Sequence, residues 1–211
     1  SGIAELACAG LATVALRAPS HAVAQALLGA FGGPIAAPSA NVSGRISATK
    51  AEHIAADLRP LVSLILDDGP SPIGLESTIV AVDKNGATRL LRPGAITREA
   101  IEAITRPLIA ASESIEAPGM MASHYAPNAR LRLDVDTPHA GEAYLAFGSE
   151  ARDGGLTLSA RGDLTEAAAN LYAHLRALDA IGVEAIAVAP IPHEGLGEAI
   201  NDRLKRAAAP R

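Results

Sequence analysis

From residue 128 onward, short apolar runs alternate with stretches of helical period, and this alternation narrows the fold more than any other feature of the chain. AYLAFG, LTLS and AIAVAP read as strands. Leu164, Ala168, Leu171, Leu175 and Leu178 recur at helical spacing, and Gly182 marks the end of that helix. A last helix is expected from about Gly197 to Ala208. Strands joined through helices run the same way, because each crossover returns the chain to its starting edge. Residues 128–211 are therefore expected to form a small Rossmann-like α/β domain with a largely parallel sheet.

The earlier residues follow a different plan. TVALR, from Thr13 to Arg17, and PIAAPS read as short strands, with a helix between them from Pro19-Ser20 through Phe31 that Gly32-Gly33 stops. Thr49 and Glu52 have capping-box spacing, which predicts a helix over Thr49 to Leu58. The apolar run LVSLILDDG then leads into a turn. STIVAVD and TRLLRPG flank Asn85-Gly86, a hairpin signal, and Thr97 to Ile104 reads as a helix. A hairpin inside an α/β pattern implies a mixed sheet, so residues 1–104 are read as one mixed-sheet α/β unit. Residues 105–127 have no period and carry Pro107, Pro118, Gly119 and Pro127, which places the interdomain linker there.

Composition removes several functional classes. No apolar run approaches the roughly 20 residues of a spanning helix without a Pro, Gly or charge. Cys8 is the only cysteine, so one chain can build neither a disulfide framework nor a thiolate metal site, and a reducing cytoplasm is the expected compartment. A net charge of -5 argues against broad nonspecific nucleic-acid binding by this stretch of protein. His21, His53, His139, His174 and His193 show no zinc-ligand spacing, and there is no Gly-Lys-Ser/Thr phosphate loop.

The chemistry concentrates in PSANVSGRISATKAEH, Pro38 to His53. Ser39, Asn41, Ser43 and Ser47 offer small donors and acceptors, and Gly44 lets the backbone turn closely, an arrangement suited to phosphate or small polar substrates. The same residues could equally build an ordinary turn. Further along, Glu76-Ser77-Thr78 opens a strand after Gly74. Arg92, in Arg-Pro-Gly, carries a planar fork suited to phosphate, nucleobase or carboxylate. Arg17 is a weaker candidate of the same kind. His124 and Tyr125 follow in APGMMASHYAP.

In this order, GLESTIVAVD, LLRPGAIT and APGMMASHYAP join the Ser-x-Asn loop in a pattern that resembles the threonylcarbamoyl-AMP synthase family, which has a YrdC-like catalytic domain. GLGEAINDRLKRAA, preceded by AAANLYAHLRALD, resembles the smaller C-terminal domain of the long subfamily. The resemblance runs from about Gly10 to Ala208. The family's Lys-x-Arg and Pro-Gly-Pro-Leu-Thr segments have no counterpart here, so the chain is read as the C-terminal part of the catalytic domain plus the added domain. Alone, it is expected to be inactive.

What the resemblance implies is synthesis of threonylcarbamoyl-adenylate and pyrophosphate from L-threonine, bicarbonate and ATP, with Mg²⁺ arriving with ATP. The product would pass to a tRNA threonylcarbamoyl transferase machinery, with direct contact to tRNA left open. It also implies that Ser39, Asn41, Ser47, Ser77 and Arg92 bind ATP or substrate, that Glu76 orients basic partners, and that Tyr125 and His124 lie on the substrate side or on a lid. His124 is read as a packing residue rather than a general base, and no catalytic residue is assigned. Asn201, Asp202 and Arg203 are read as structural or regulatory. The alternatives are a noncatalytic RNA-binding YrdC-like module and the carbamoyl-adenylate chemistry of hydrogenase maturation.

Overall fold

The computed structural model describes residues 4–8, 10–11, 13–54, 58, 61–110, 116–117 and 119–210. The first part opens with a short 3₁₀ turn, Glu5–Cys8, and helix α1, Ala22–Phe31. Gly32 ends α1 in the left-handed conformation (φ 72°), its N–H bonding the Leu28 carbonyl. The expected hairpin is present. Strands β1 (Ile79–Val82) and β2 (Thr88–Arg92) pair antiparallel around Asn85-Gly86, where Gly86 takes φ 80° and the Asn85 side chain accepts from the Ala87 N–H. Thr97 caps helix α2 (Arg98–Glu102) through the Ala100 N–H. A two-residue strand, β3 (Ile109–Ala110), then lies parallel to β2, which makes a mixed three-stranded sheet.

Three expectations for this part are corrected. Thr13–Arg17 and the PIAAPS segment form no strand among the described residues, and an apolar run becomes a strand only where a neighbour takes up its N–H and C=O groups. The capping box at Thr49 does not form either. Thr49 directs its backbone N–H to His53 Nδ1 at 3.2 Å, and only a 3₁₀ turn, Ala51–His53, follows; residues 55–57 and 59–60 of the expected helix lie outside the described residues.

The second part matches its expected plan closely. Strands β4 (Arg130–Arg132), β5 (Ala143–Ala146), β6 (Leu156–Thr157) and β7 (Ala185–Val188) form an all-parallel sheet in the order β4-β7-β5-β6. Helix α3 (Leu164–Ala180) is capped by Asp163, which accepts from the Thr165 and Glu166 N–H groups, and buries Ala168, Leu171, Leu175 and Leu178 as its spacing implied. Helix α4 (Leu196–Ala208) closes the domain. At roughly 1.5–3 kcal/mol for each fully buried leucine, this core supplies most of the apolar stabilisation. The first part buries far less: Leu6, Leu16, Leu61, Leu64 and Ile104 are all exposed.

The two parts pack against each other. Ile46 is buried in the same cluster as α3 and α4, with Leu75 packed against it, and Arg98 of α2 pairs with Glu198 of α4 at 2.5 Å. Gly74 is the tightest point. A Cβ there would lie 2.2 Å from the Ala168 carbonyl oxygen, so only glycine lets this turn rest on the α3 backbone.

Candidate active site

The polar loop is stapled from within. Asn41 is buried and donates through Nδ2 to the carbonyls of Val42 and Arg45, at 2.9 and 3.1 Å, while its Oδ1 is buried with no partner among the described residues. Its donors hold the loop's own shape. Gly44 turns at φ 78°, and its carbonyl accepts from the Ala126 N–H, joining the loop to the segment that carries Tyr125. Ser39, just before this staple, is exposed.

Ser47 points inward, to a carboxylate. Its Oγ donates to Glu76 Oε1 at 2.6 Å, Tyr172 OH reaches both Glu76 oxygens at 3.0 Å, and Arg203 Nε meets Oε2 at 2.8 Å. Arg203 is 1% exposed and also grips Asp202 Oδ2 and the Pro93 carbonyl. Glu76 therefore joins residues of the loop, β1's approach, α3 and α4 at one point. Arg176 of α3 adds hydrogen bonds to the Ser47 and Ile46 carbonyls.

Arg92 is buried too, and its fork holds the Ser77 carbonyl through Nε and Nη2 at 3.2 and 2.8 Å. Ser77 is half-buried beside it. Tyr125, 2% exposed, lies with Tyr172 at 5.7 Å between ring centres and with the Arg203 guanidinium 5.2 Å over its ring. It takes φ 63°, a costly conformation for a residue with a Cβ that persists only where packing enforces it. Gly119 lets the linker pass: a Cβ there would stand 2.5 Å from the Tyr125 hydroxyl. The His124 N–H bonds the Arg206 carbonyl, and Arg206 Nη1 returns to the Met121 carbonyl at 2.6 Å.

The structure thus brings Ser47, Ser77, Arg92, His124 and Tyr125 together with Glu76, while Asn41 and the exposed Ser39 lie earlier on the loop that carries Ser47. Arg17 is exposed, outside any strand or helix. Tyr172 was missed, because it sits in an apolar stripe of α3 and its spacing matches core packing. Arg203 was visible only as one charge in a polar helix. A cleft of about 810 Å³ between His53, Ser71, His174 and Arg176 is lined by none of Ser39, Ser77, Arg92 or Tyr125, and is not this site.

Burial alone would raise the Glu76 carboxyl, but the Arg203 charge and the hydrogen bonds from Ser47 and Arg203 outweigh it and hold its pKa below the ordinary value. Burial raises the Tyr172 phenol well above its usual range, with the Glu76 charge adding to it. Burial lowers the pKa of His124, whose Nδ1 has no partner among the described residues, which fits a neutral packing ring. Because the folded Glu76 pKa is depressed, its stabilisation is full above about 4.5 and is lost as the pH falls through the lower folded value. Glu76→Gln is expected to be less stable than the parent at neutral pH, with the gap closing on acidification. Thermal unfolding across a pH series checks this, and a constant gap would remove Glu76 as the titrating group.

Among the described residues, no cluster of three or more His, Cys, Asp or Glu side chains is placed to hold a metal ion, and no helix is long and apolar enough to cross a membrane. Glu76 already accepts from Ser47, Tyr172 and Arg203.

Taken together, these features define a two-part α/β protein whose polar loop is anchored on a half-buried carboxylate shared with the second domain. Residues 96–209 match the family described as threonylcarbamoyl-AMP synthase, C-terminal domain, and residues 1–94 match the Sua5/YciO/YrdC family, described as telomere recombination. The chain belongs to the threonylcarbamoyl-AMP synthase family. It is 41% identical over 96% of its length to the threonylcarbamoyl-AMP synthase of Bacillus subtilis, covering 65% of that protein. With the Pyrococcus abyssi threonylcarbamoyl-AMP synthase it shares 35% identity over 96% of its length, covering 66%. The crystal structure of P. abyssi Sua5 complexed with L-threonine superposes with a TM-score of 0.87 at 32% identity, over 98% of this chain and 67% of that one. A P. abyssi Sua5 variant with an adjacent histidine and tyrosine both changed to alanine superposes at 0.86. The chain thus spans about two thirds of the length of these relatives.

Proposed function

We propose that this chain contributes to an L-threonylcarbamoyladenylate synthase, a nucleotidyltransferase that serves threonylcarbamoyladenosine modification of tRNA. In this reading the threonine amine takes up bicarbonate with loss of water to form a carbamate. A carbamate oxygen then attacks the α-phosphate of ATP, forming the new P–O bond as the bond to the β-phosphate breaks and pyrophosphate leaves. Mg²⁺ enters with the ATP phosphates as part of the substrate. The protein's task is electrostatic and positional: it must hold several anions together and stabilise charge on the phosphoryl oxygens.

Ser39 and Ser77 are the hydroxyls this reading sets against substrate. Asn41, Ser47 and Arg92 keep the loop and the strand start in shape, and Tyr125 with His124 covers the site from the linker side, excluding water. The observation that carries the reading is the superposition, across both parts of the chain, on a relative crystallised with L-threonine. Because the chain covers about two thirds of such relatives, the activity is proposed for a protein of their full length.

The test is pyrophosphate release that requires threonine, bicarbonate and ATP together, measured on a protein of the relatives' full length. Ser39→Ala is expected to lower turnover by a factor corresponding to about 2.7–4 kcal/mol, as for loss of a donor aimed at developing charge, with the fold retained. Parental turnover in Ser39→Ala would overturn the placement of the site. Release that ignores threonine would overturn the reaction.

A further inference from the structure

The second domain does more than pack against the first, because its two polar contacts with Glu76 come from residues that could not reach a substrate. Arg203 is 1% exposed and Tyr172 equally closed off, so neither can touch a ligand at the exposed rim. Both instead terminate on the carboxylate whose other strong partner is Ser47. A carboxylate oxygen has a limited set of lone pairs, so three donors arriving from three elements leave it one position. Ser47 lies on the same loop as Ser39, and the Asn41 hydrogen bonds staple residues 41–45 between them. Arg176 fastens the carbonyls of Ile46 and Ser47 from the same face of α3.

The last turns of α4 hold the other side. Asp202 bridges Arg203 and Arg206, Arg206 bonds the Met121 carbonyl, and the Arg203 guanidinium lies over the strained Tyr125. We propose that Arg203 and Tyr172 are positioning residues of the substrate loop: they fix the Glu76 carboxylate, and Glu76 fixes Ser47 and the loop that presents Ser39. Through these two closed-off side chains the second domain therefore sets the geometry of the loop. This inference rests on the reading of the Ser39 loop as the substrate loop.

The test pairs amide hydrogen exchange with kinetics in the full-length protein. Tyr172→Phe removes one hydroxyl from a core that stays filled, so folding is preserved. Without substrates, it is expected to speed exchange of the loop amides at 41–47 about tenfold, as loss of one hydrogen bond to a charged acceptor would, with β5 and β7 amides unchanged. Arg203→Lys, which keeps the charge and loses the fork, should act in the same direction. In kinetics, Tyr172→Phe and Ser47→Ala should each lower kcat more than they raise KM, and the double variant should be no worse than the poorer single one.

Unchanged loop exchange in Tyr172→Phe overturns the proposal, as does multiplication of the two kinetic effects. Faster loop exchange in a protein that makes no threonylcarbamoyl-adenylate would overturn the functional reading while supporting the mechanical link. Turnover without that exchange response would keep the function and remove the positioning role.

Discussion

Arg203→Met is expected to lower the unfolding free energy by up to about 3–5 kcal/mol, because it takes the cation from the half-buried Glu76 carboxylate and leaves it only the Ser47 and Tyr172 hydroxyls. The side chain removed is almost wholly inaccessible, and its fork meets Glu76 Oε2 at 2.8 Å, Asp202 Oδ2 at 2.5 Å and the Pro93 carbonyl at 2.9 Å. Asp202 keeps Arg206 at 3.0 Å, so the loss falls mainly on Glu76 and the Pro93 carbonyl. A buried pair is often worth little against a well-packed apolar replacement, whereas half of one is costly. Glu76→Gln combined with Arg203→Met should therefore recover part of the loss. Denaturant titration of the three variants measures this directly. A loss below about 1 kcal/mol for Arg203→Met would mean that solvent screens the pair and that the cluster does not join the two parts.

Gly74→Ala is the second substitution with a large expected effect, for a steric reason. Gly74 sits at φ +73°, and the added methyl would lie 2.2 Å from the Ala168 carbonyl oxygen and 2.5 Å from the Ala169 Cα, both on the α3 backbone. Left-handed strain and overpacking each cost about 1–3 kcal/mol. Helix α3 would have to move away, carrying Tyr172 from Glu76. Gly86→Ala is the control, since Gly86 has nearly the same φ, +80°, with nothing within 4 Å of its added methyl. The difference between the two losses isolates the clash, and equal losses would show that α3 does not rest on this turn.

The second domain was readable from sequence because its signals are local and its core is its own. The leucine spacing on α3, the Asp163 cap and the three apolar strands needed no partner to be recognised. Strand β4 was not, since RLR offers two charges around one leucine and gains its identity only from Leu131 pairing with Ile186 of β7. In the first part the hairpin was legible from Asn85-Gly86, but Thr13–Arg17 and PIAAPS had strand character without strand partners, and pairing is a tertiary fact. The capping box failed because His53 took the Thr49 N–H that a helix would have used differently.

The candidate site was legible as a set of motifs and opaque as a network. Ser47, Glu76 and Arg92 could be named from their neighbours in sequence. Tyr172 and the Ser77 carbonyl could not, and Arg203, read as structural or regulatory, could not be matched to Glu76, because each link spans a long stretch of chain or uses backbone. Asn41 shows the limit well: its residue type suits a ligand contact and a loop staple equally, and its donors are used on the loop's own carbonyls.

The aromatic content of the chain gives the cluster an optical consequence. There is no tryptophan and there are only three tyrosines, of which Tyr144 lies in the parallel sheet while Tyr125 and Tyr172 stack within 5.7 Å at the junction. Near-ultraviolet absorbance and intrinsic emission of these 211 residues therefore come chiefly from one contact. A phenol hydrogen-bonded to a carboxylate emits differently from a free one, so separation of the two parts would register as a change in tyrosine fluorescence with no label attached.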